Sequence, residues 1–252
     1  MFTPSSDSGG SGLTNAQRFA QTQWSVVLSA AKRRDDAGAE QAMEELCRIY
    51  WTPLYAFTRR SGENPHDAQD LTQEFFARLL QKDFLGSVGK SKGRFRSFLL
   101  ASLKHFLSNQ RDWNRAQKRG GGRAPLPLDA GAAETGIGFQ AADDLTPEKA
   151  FQKRWALTLL ELTLARLREE HVERGSLEMF EHLKGTLTEG RGNVPYAELA
   201  ARMGTSEAAV KMAVMRLRRR YREILRAEIA RTVGDESEVE DELRDVFRAL
   251  SY

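Results

Sequence analysis

From Lys90 to Arg123 ten cations (Lys90, Lys92, Arg94, Arg96, Lys104, Arg111, Arg115, Lys118, Arg119 and Arg123) face a single carboxylate, Asp112. Phe95, Phe98, Phe106 and Trp113 interleave with them. Cations that follow phosphates and rings that stack on unpaired bases are what holds a single nucleic-acid strand. Phe98, Leu99, Leu103, Phe106 and Leu107 also recur at helical spacing, so most of them are expected as core. The binding candidates are therefore the exposed cations, Trp113 and the residues just before the helix. A second pattern lies in "YAELAARMGTSEAAVKMAVMRLRRRYREIL", where Ala200, Gly204 and Val210 have the spacing of two helices crossing tightly through a glycine turn. Tyr196, Leu199, Ala200 and Met203 form the inner stripe of the first helix. Val210, Ala213, Val214, Leu217, Tyr221 and Ile224 form that of the second. Thr205 or Ser206 can cap the second helix. Ser206, Glu207, Ala208, Lys211, Met212 and Met215 are left outward at its N-terminal end, where a reading helix meets base edges. Arg216, Arg218, Arg219, Arg220 and Arg222 follow and suit phosphates. The competing reading of this stretch is a plain helical hairpin with a solvated arginine face.

Catalytic chemistry finds no comparable pattern. There is no Ser-His-Asp candidate and no phosphate-cradling glycine loop, and "GGGR" at 120–123 opens a linker instead of a helix after a strand. None of His66, His105, His171 and His182 sits three residues after a helical Glu, so no metal site and no cofactor is expected. Cys47 is the single cysteine, which excludes an intrachain disulfide, a thiolate zinc site and a CxxC pair and fits a reducing cytosol. The start, "MFTPSSDSGGSGLT", lacks the basic and apolar regions of a secretory signal, and no apolar run approaches the length of a membrane span. A cytoplasmic protein without a membrane partner is expected. Net charge is +3 and the pI about 9.0, which with the clustered arginines suits an anionic partner.

The elements that must position these residues read as helices throughout, and the expected class is all-α. Residues 1–18 are rich in Ser, Gly and Thr and are expected as a disordered tail. Residues 19–119 have helical periodicity and form the expected N-terminal helical domain. The glycine-rich and acidic stretch 120–146 is expected as a flexible linker. In "LTPEKAF", Thr146 can cap, Pro147 suits the first turn and Glu148 the positive helix end, opening a second helical domain over 147–231. Residues 232–252 are an acidic extension with Val239, Leu243, Val246, Phe247 and Leu250 at helical spacing, which docks as a short helix or stays loose. In "NPHDAQDLTQEFFARLLQ", Asn64 caps, Pro65 sits in the first turn, and Leu71, Phe75, Phe76, Leu79 and Leu80 turn inward. Asp67, Asp70, Gln73, Glu74 and Arg78 are left outward, by themselves an ordinary solvated face.

Three segments in this order resemble a known family. "DAQDLTQEFFARLL" is similar to the polymerase-binding helix of the small, extracytoplasmic-function type of bacterial RNA polymerase sigma factor. "GRFRSFLLASLKHFL" resembles the segment that captures and melts the minus-ten element, and "YAELAARMGTSEAAVKMAVMRLRRR" the helix-turn-helix that reads the minus-thirty-five element. The conjunction spans roughly residues 20 to 230 and is more specific than any one motif. The resemblance implies a non-catalytic initiation factor of two helical domains, with core RNA polymerase and promoter DNA as partners, and it leaves an anti-sigma protein open as a third. It implies that Asp67, Asp70, Leu71, Gln73 and Glu74 contact the polymerase. It implies that Lys92, Arg94, Phe95, Arg96, Phe98, Arg111, Trp113 and Arg115 hold the unpaired minus-ten strand. Ser206, Glu207, Lys211, Met212, Met215, Arg216 and Arg219 would face the minus-thirty-five duplex. Phe98, His105 and Ala213 depart from the Trp, Asn and Arg frequent in the family, so no promoter sequence carries over. The alternative is a stand-alone helix-turn-helix regulator, which accounts for 194–222 but not for the two earlier segments. An acidic helix after residue 232 can mask a basic face electrostatically, whereas most acidic tails are merely solvated.

Overall fold

The computed structural model of the chain describes residues 37–79, 94–119, 145–188, 195–233 and 235–252. Residues 1–18, Lys92 and all but the last two residues of the expected linker lie outside them. Among the described residues every regular element is helical. In chain order these are α1 (Ala37–Arg60), α2 (Pro65–Leu79), α3 (Phe95–Arg119), α4 (Pro147–Glu173), α5 (Leu177–Leu183), α6 (Gly185–Thr188), α7 (Tyr196–Arg202) and α8 (Glu207–Thr232). A 3-10 turn, Glu236–Glu238, then leads into α9 (Val239–Leu250).

Local chemistry accounts for the helix ends. Asn64 Oδ1 accepts the Asp67 amide at 2.9 Å at the start of α2. Thr146 Oγ1 accepts the Lys149 amide at 3.3 Å at the start of α4, with Pro147 in the first turn. Each satisfies an amide that the helix leaves without a partner. At the end of α4 the Ser176 amide donates to the His171 carbonyl at 2.8 Å and the Gly175 amide to that of Val172 at 3.0 Å. This paired closure requires the left-handed conformation that Gly175 takes at φ +64°.

Two apolar clusters share the two longest helices. The larger collects Ile49, Tyr50 and Leu54 of α1, Phe75 and Leu79 of α2, and Phe95, Leu99 and Leu103 of α3. Phe151, Trp155 and Leu159 of α4, Leu225 and Ile229 of α8, and Val239, Val246 and Ala249 of α9 complete it. The smaller gathers Leu167 of α4, Phe180 and Leu183 of α5, Leu199 and Ala200 of α7, and Val210, Val214, Leu217 and Ile224 of α8. The first half of α4 and the last part of α8 thus pack with the helices of the expected N-terminal block, while their other ends build the smaller cluster. Residues from both sides of 120–144 meet in one core. No helix among the described residues is long and apolar enough to cross a membrane.

The extension after residue 232 docks as a helix. Val239, Val246 and Ala249 are buried and Leu243 and Leu250 pack at the cluster edge, but Phe247, expected inward, is 59% exposed. The buried arc of α9 is centred on Val239, Glu242, Val246 and Ala249, which leaves Phe247 at its far edge.

Trp155 is fully buried where the helices of both blocks converge. Its replacement by Ala leaves a large cavity and is expected to cost about 3–5 kcal/mol. Denaturant unfolding followed by far-ultraviolet circular dichroism should show the midpoint of one transition move, because the two blocks share this core.

Candidate nucleic-acid interface

The surface formed by α7 and α8 is built from the turn between them. The Thr205 amide donates to the Ala200 carbonyl at 3.0 Å and the Gly204 amide to that of Ala201 at 3.4 Å, with Gly204 at φ +60°. This left-handed closure ends α7 and turns the chain at once into α8. Ser206 then caps α8 by accepting the Ala209 amide at 3.2 Å, so the candidate Ser206 has a structural task as well. Leu199 and Ala200 pack with Val210, Val214 and Leu217, and that burial decides which side of α8 points out.

Lys211, Met212, Met215, Arg216 and Arg219 lie on the outward side, with Glu207 exposed in the first turn. Met212 is 49% exposed, Met215 58%, and the Arg219 side chain 82%. Two of the arginines expected to meet phosphates also hold partners within the chain. Arg218 donates to the Thr186 carbonyl at 2.8 Å. Arg220 holds Glu170 of α4 at 2.5 Å and Glu223 at 3.0 Å. The hydrogen bond from Arg220 keeps the Glu170 carboxyl below its ordinary range, against the opposing effect of burial, and the Arg220 guanidinium is pushed up in turn. These pairs fix the rotation of α8 about its axis, which sets the direction in which Arg216 and Arg219 point. Arg219 itself pairs with Glu223, at 3.3 Å one turn along.

On α2, Asp67, Asp70 and Gln73 are exposed while Leu71 packs against the larger cluster. Asp67 is bonded to the capping Asn64 at 2.7 Å and Asp70 to His66 Nδ1 at 3.0 Å. Glu74 is only half exposed and accepts from Gln110 of α3 at 2.9 Å to each oxygen and from Arg78 at 2.6 Å. It ties α2 to α3 besides contributing to the acidic face.

The candidates on and before α3 divide sharply. Trp113 is 57% exposed, and Arg111 is bonded to Glu63 at 3.0 Å and to the Ser61 carbonyl at 2.6 Å. The side chain of Arg115 lies outside the described residues. Phe95 is fully buried, with its ring edge-on to Tyr50 at 5.4 Å, and Phe98 is half-buried beside it. Neither Phe95 nor Arg96 faces solvent, contrary to an expectation that treated the segment before the helix as open. The reason is that Phe95 is the first apolar residue of the α3 inner face and Arg96 turns into α9.

Arg96 is 4% exposed. Its Nε lies 2.5 Å from Glu242 Oε1, its Nη2 2.9 Å from Glu242 Oε2 and 2.7 Å from Asp245 Oδ2, and its Nη1 donates to Gln152 of α4. The guanidinium also stacks 4.5 Å from the centre of the Trp155 ring, a favourable position for a planar cation. Arg94 joins from the helix start, 3.0 Å from Glu242 and paired with Asp245. Glu242 is fully buried. Burial alone would raise the Asp245 carboxyl, but the charges of Arg94 and Arg96 and their hydrogen bonds hold it below its ordinary value. Burial works against the Arg96 cation, and Glu242 and then Asp245 more than offset it. Glu242, Asp245, Gln152 and Trp155 were not singled out from the sequence. The legible signal was two carboxylates three residues apart, which share a helix face.

Comparison with family models finds none that matches the chain, and comparisons with curated proteins and with solved structures find no match either.

Two measurements check these positions. Gly204→Ala meets no atom within 4 Å, so its cost is the left-handed backbone alone, about 1–2 kcal/mol of unfolding free energy in denaturant titration. A carboxyl with a depressed folded pKa adds stability that is present above its ordinary value and lost as pH falls through the folded one. The denaturant unfolding midpoint should therefore be retained from neutral pH down to the ordinary Asp range and fall once pH drops below it, as Asp245 is protonated.

Proposed function

We propose that the protein is a sigma factor of the extracytoplasmic-function type: a non-catalytic subunit that binds core RNA polymerase in the cytoplasm and directs it to particular promoters. The observation that carries the reading is the exposed side of α8. Lys211, Met212, Met215, Arg216 and Arg219 stand outward behind a capped N-terminus while α7 seats the opposite side through a glycine turn. That arrangement suits a helix-turn-helix with its second helix in the major groove, side chains near its N-terminus reaching base edges and arginines reaching phosphates. The methionines offer apolar contact to thymine methyl groups, and the cations supply the salt-dependent part of the affinity. The acidic side of α2, with Asp67, Asp70 and Gln73 exposed, supports a polymerase contact there. Trp113 and Arg111 support a strand-holding surface on α3. In this reading the expected two-domain organisation is a matter of what each block binds, the acidic α2 side and α3 in one and α7 with α8 in the other.

A stand-alone DNA-binding regulator is the second reading. What favours it is the closure of Arg96, which leaves less of the strand-holding segment open than a melting factor needs. Transcription in vitro separates the two: core polymerase, this protein and a pool of genomic fragments should give specific run-off products that are absent without the protein. DNA retention without transcripts would sink the sigma reading in favour of the regulator.

Residue tests follow the same division. Asp70→Lys reverses an exposed charge that pairs with His66, and it should weaken core-polymerase binding about tenfold or more, as a misplaced like charge costs of order 1–3 kcal/mol at a complementary interface. Affinity unchanged in a pull-down titration would remove α2 from the interface. Lys211→Ala with Arg216→Ala should weaken duplex binding and flatten its dependence on salt while core binding stays intact.

A further inference from the structure

We infer that α9 is an internal occupant of a nucleic-acid site: Glu242 and Asp245 hold Arg94 and Arg96 in place of the phosphates of a single DNA strand, and strand and helix compete for the two guanidinium groups. The inference rests on the proposed function, which gives Arg94 and Arg96 to the unpaired strand, and adds how that site is regulated.

The chemistry of the exchange is direct. Guanidinium recognises carboxylate and phosphate through the same planar, paired hydrogen bonds. Glu242 presents both oxygens to Arg96, at 2.5 and 2.9 Å, and one to Arg94 at 3.0 Å, while Asp245 reaches both arginines. The two carboxylates lie one helical turn apart, which is how one short helix satisfies two neighbouring arginines. When α9 leaves, the two guanidinium groups return to water, and an anion that binds them there opposes redocking of Glu242 and Asp245. This shared demand for the same two arginines makes the contact a competition.

The rest of the α9 interface is modest enough to exchange. Its buried apolar side chains are Val239, Val246 and Ala249, Leu243 and Leu250 pack only at the cluster edge, and Phe247 stands in solvent. Outside the network Arg226 pairs with Glu240, and Lys153 and Lys149 of α4 meet the Tyr252 carbonyl and ring just after α9, exposed contacts that each add little in water. The surfaces that the proposed function assigns to duplex DNA and to polymerase, on α8 and α2, are not covered by α9: their candidates Met212, Met215, Arg219, Asp67 and Asp70 are exposed. The helix thus blocks strand capture while leaving the other two contacts available.

Hydrogen exchange on the full wild-type chain tests this without a substitution. A pool of single-stranded DNA of random sequence, about twenty nucleotides long, exceeds the usual site size of one strand-binding module. Adding it should speed amide exchange within Val239–Leu250, because strand binding and helix docking must oppose each other reciprocally. The double variant Glu242→Gln with Asp245→Asn removes the competing charge and should bind the pool about tenfold tighter, as expected if roughly one molecule in ten is open before the change. If the wild-type chain binds with exchange in α9 unchanged, or if neither protein binds the pool, α9 is a structural clasp and the inference falls. Should the variant fail to fold, the wild-type exchange decides alone. Retention on core polymerase is measured in parallel on the same wild-type protein. Retention without release of α9 refutes the competition alone, and release of α9 without retention refutes the sigma reading alone.

Discussion

A guanidinium removed from water must be matched, and Arg96 is matched from three sides at once. Two carboxylates come from α9, an amide oxygen from α4, and the face of the Trp155 ring lies beneath. Removing one partner of such a group strands a buried charge, which is far more costly than the pair is stabilising. The docking of α9 is therefore coupled to the position of α3. Since α9 also completes the cluster containing Leu225 and Ile229, it is coupled to the last turns of α8 as well.

That coupling passes along α8 and α4 because each of them belongs to both clusters. Helix α8 is buried at Val210, Val214 and Leu217 against α7 and at Leu225 and Ile229 against the larger core, so its rotation is constrained near both ends. Arg220 with Glu170 locks α8 to α4 between those ends, and Arg166 with the buried Glu228 does so within the second. A helix held this way presents Lys211, Met212, Met215 and Arg216 in one fixed orientation. Fixed presentation matters for a reading surface, where side chains must arrive at base edges without first being ordered.

The helices and their caps were legible in the sequence wherever the cause is local. Asn64, Thr146, Ser206 and Gly204 each act on backbone groups within a few residues of themselves, and each does in the structure what its type and position predict. The inner stripe of α8 was legible for the same reason, since its apolar spacing alone decides it. Partners far apart in the chain were not. Arg96 and Glu242 are separated by 146 positions, and nothing in "GRFRSF" distinguishes an arginine aimed at a phosphate from one aimed at a carboxylate. The partners of Arg218 and Arg220 were hidden similarly: a run of arginines on a helix samples every direction, and only packing tells which of them turn toward Thr186 and Glu170. Phe95 read as a stacking ring because aromatic residues among cations suit both a strand and a core, and its full burial beside Tyr50 depends on α1.

The two arginines before and within the first turn of α3 show why the same residues suit both roles. Geometry that accepts a phosphate accepts a carboxylate equally well, so a site for a polyanion is always open to capture by acids of its own chain. A carboxylate held within the same molecule has the advantage of high effective concentration, against which an external strand must bring several phosphates and stacking bases together. Only a ligand engaging more than Arg94 and Arg96 can then win. Trp113 and Arg111, exposed further along the same helix, are placed to supply that additional engagement. A short or isolated anion would lose to Glu242, and a strand long enough to follow α3 toward Trp113 would not. On the competition inferred above, closure by α9 would turn two promiscuous anion-binding side chains into a site that discriminates by length.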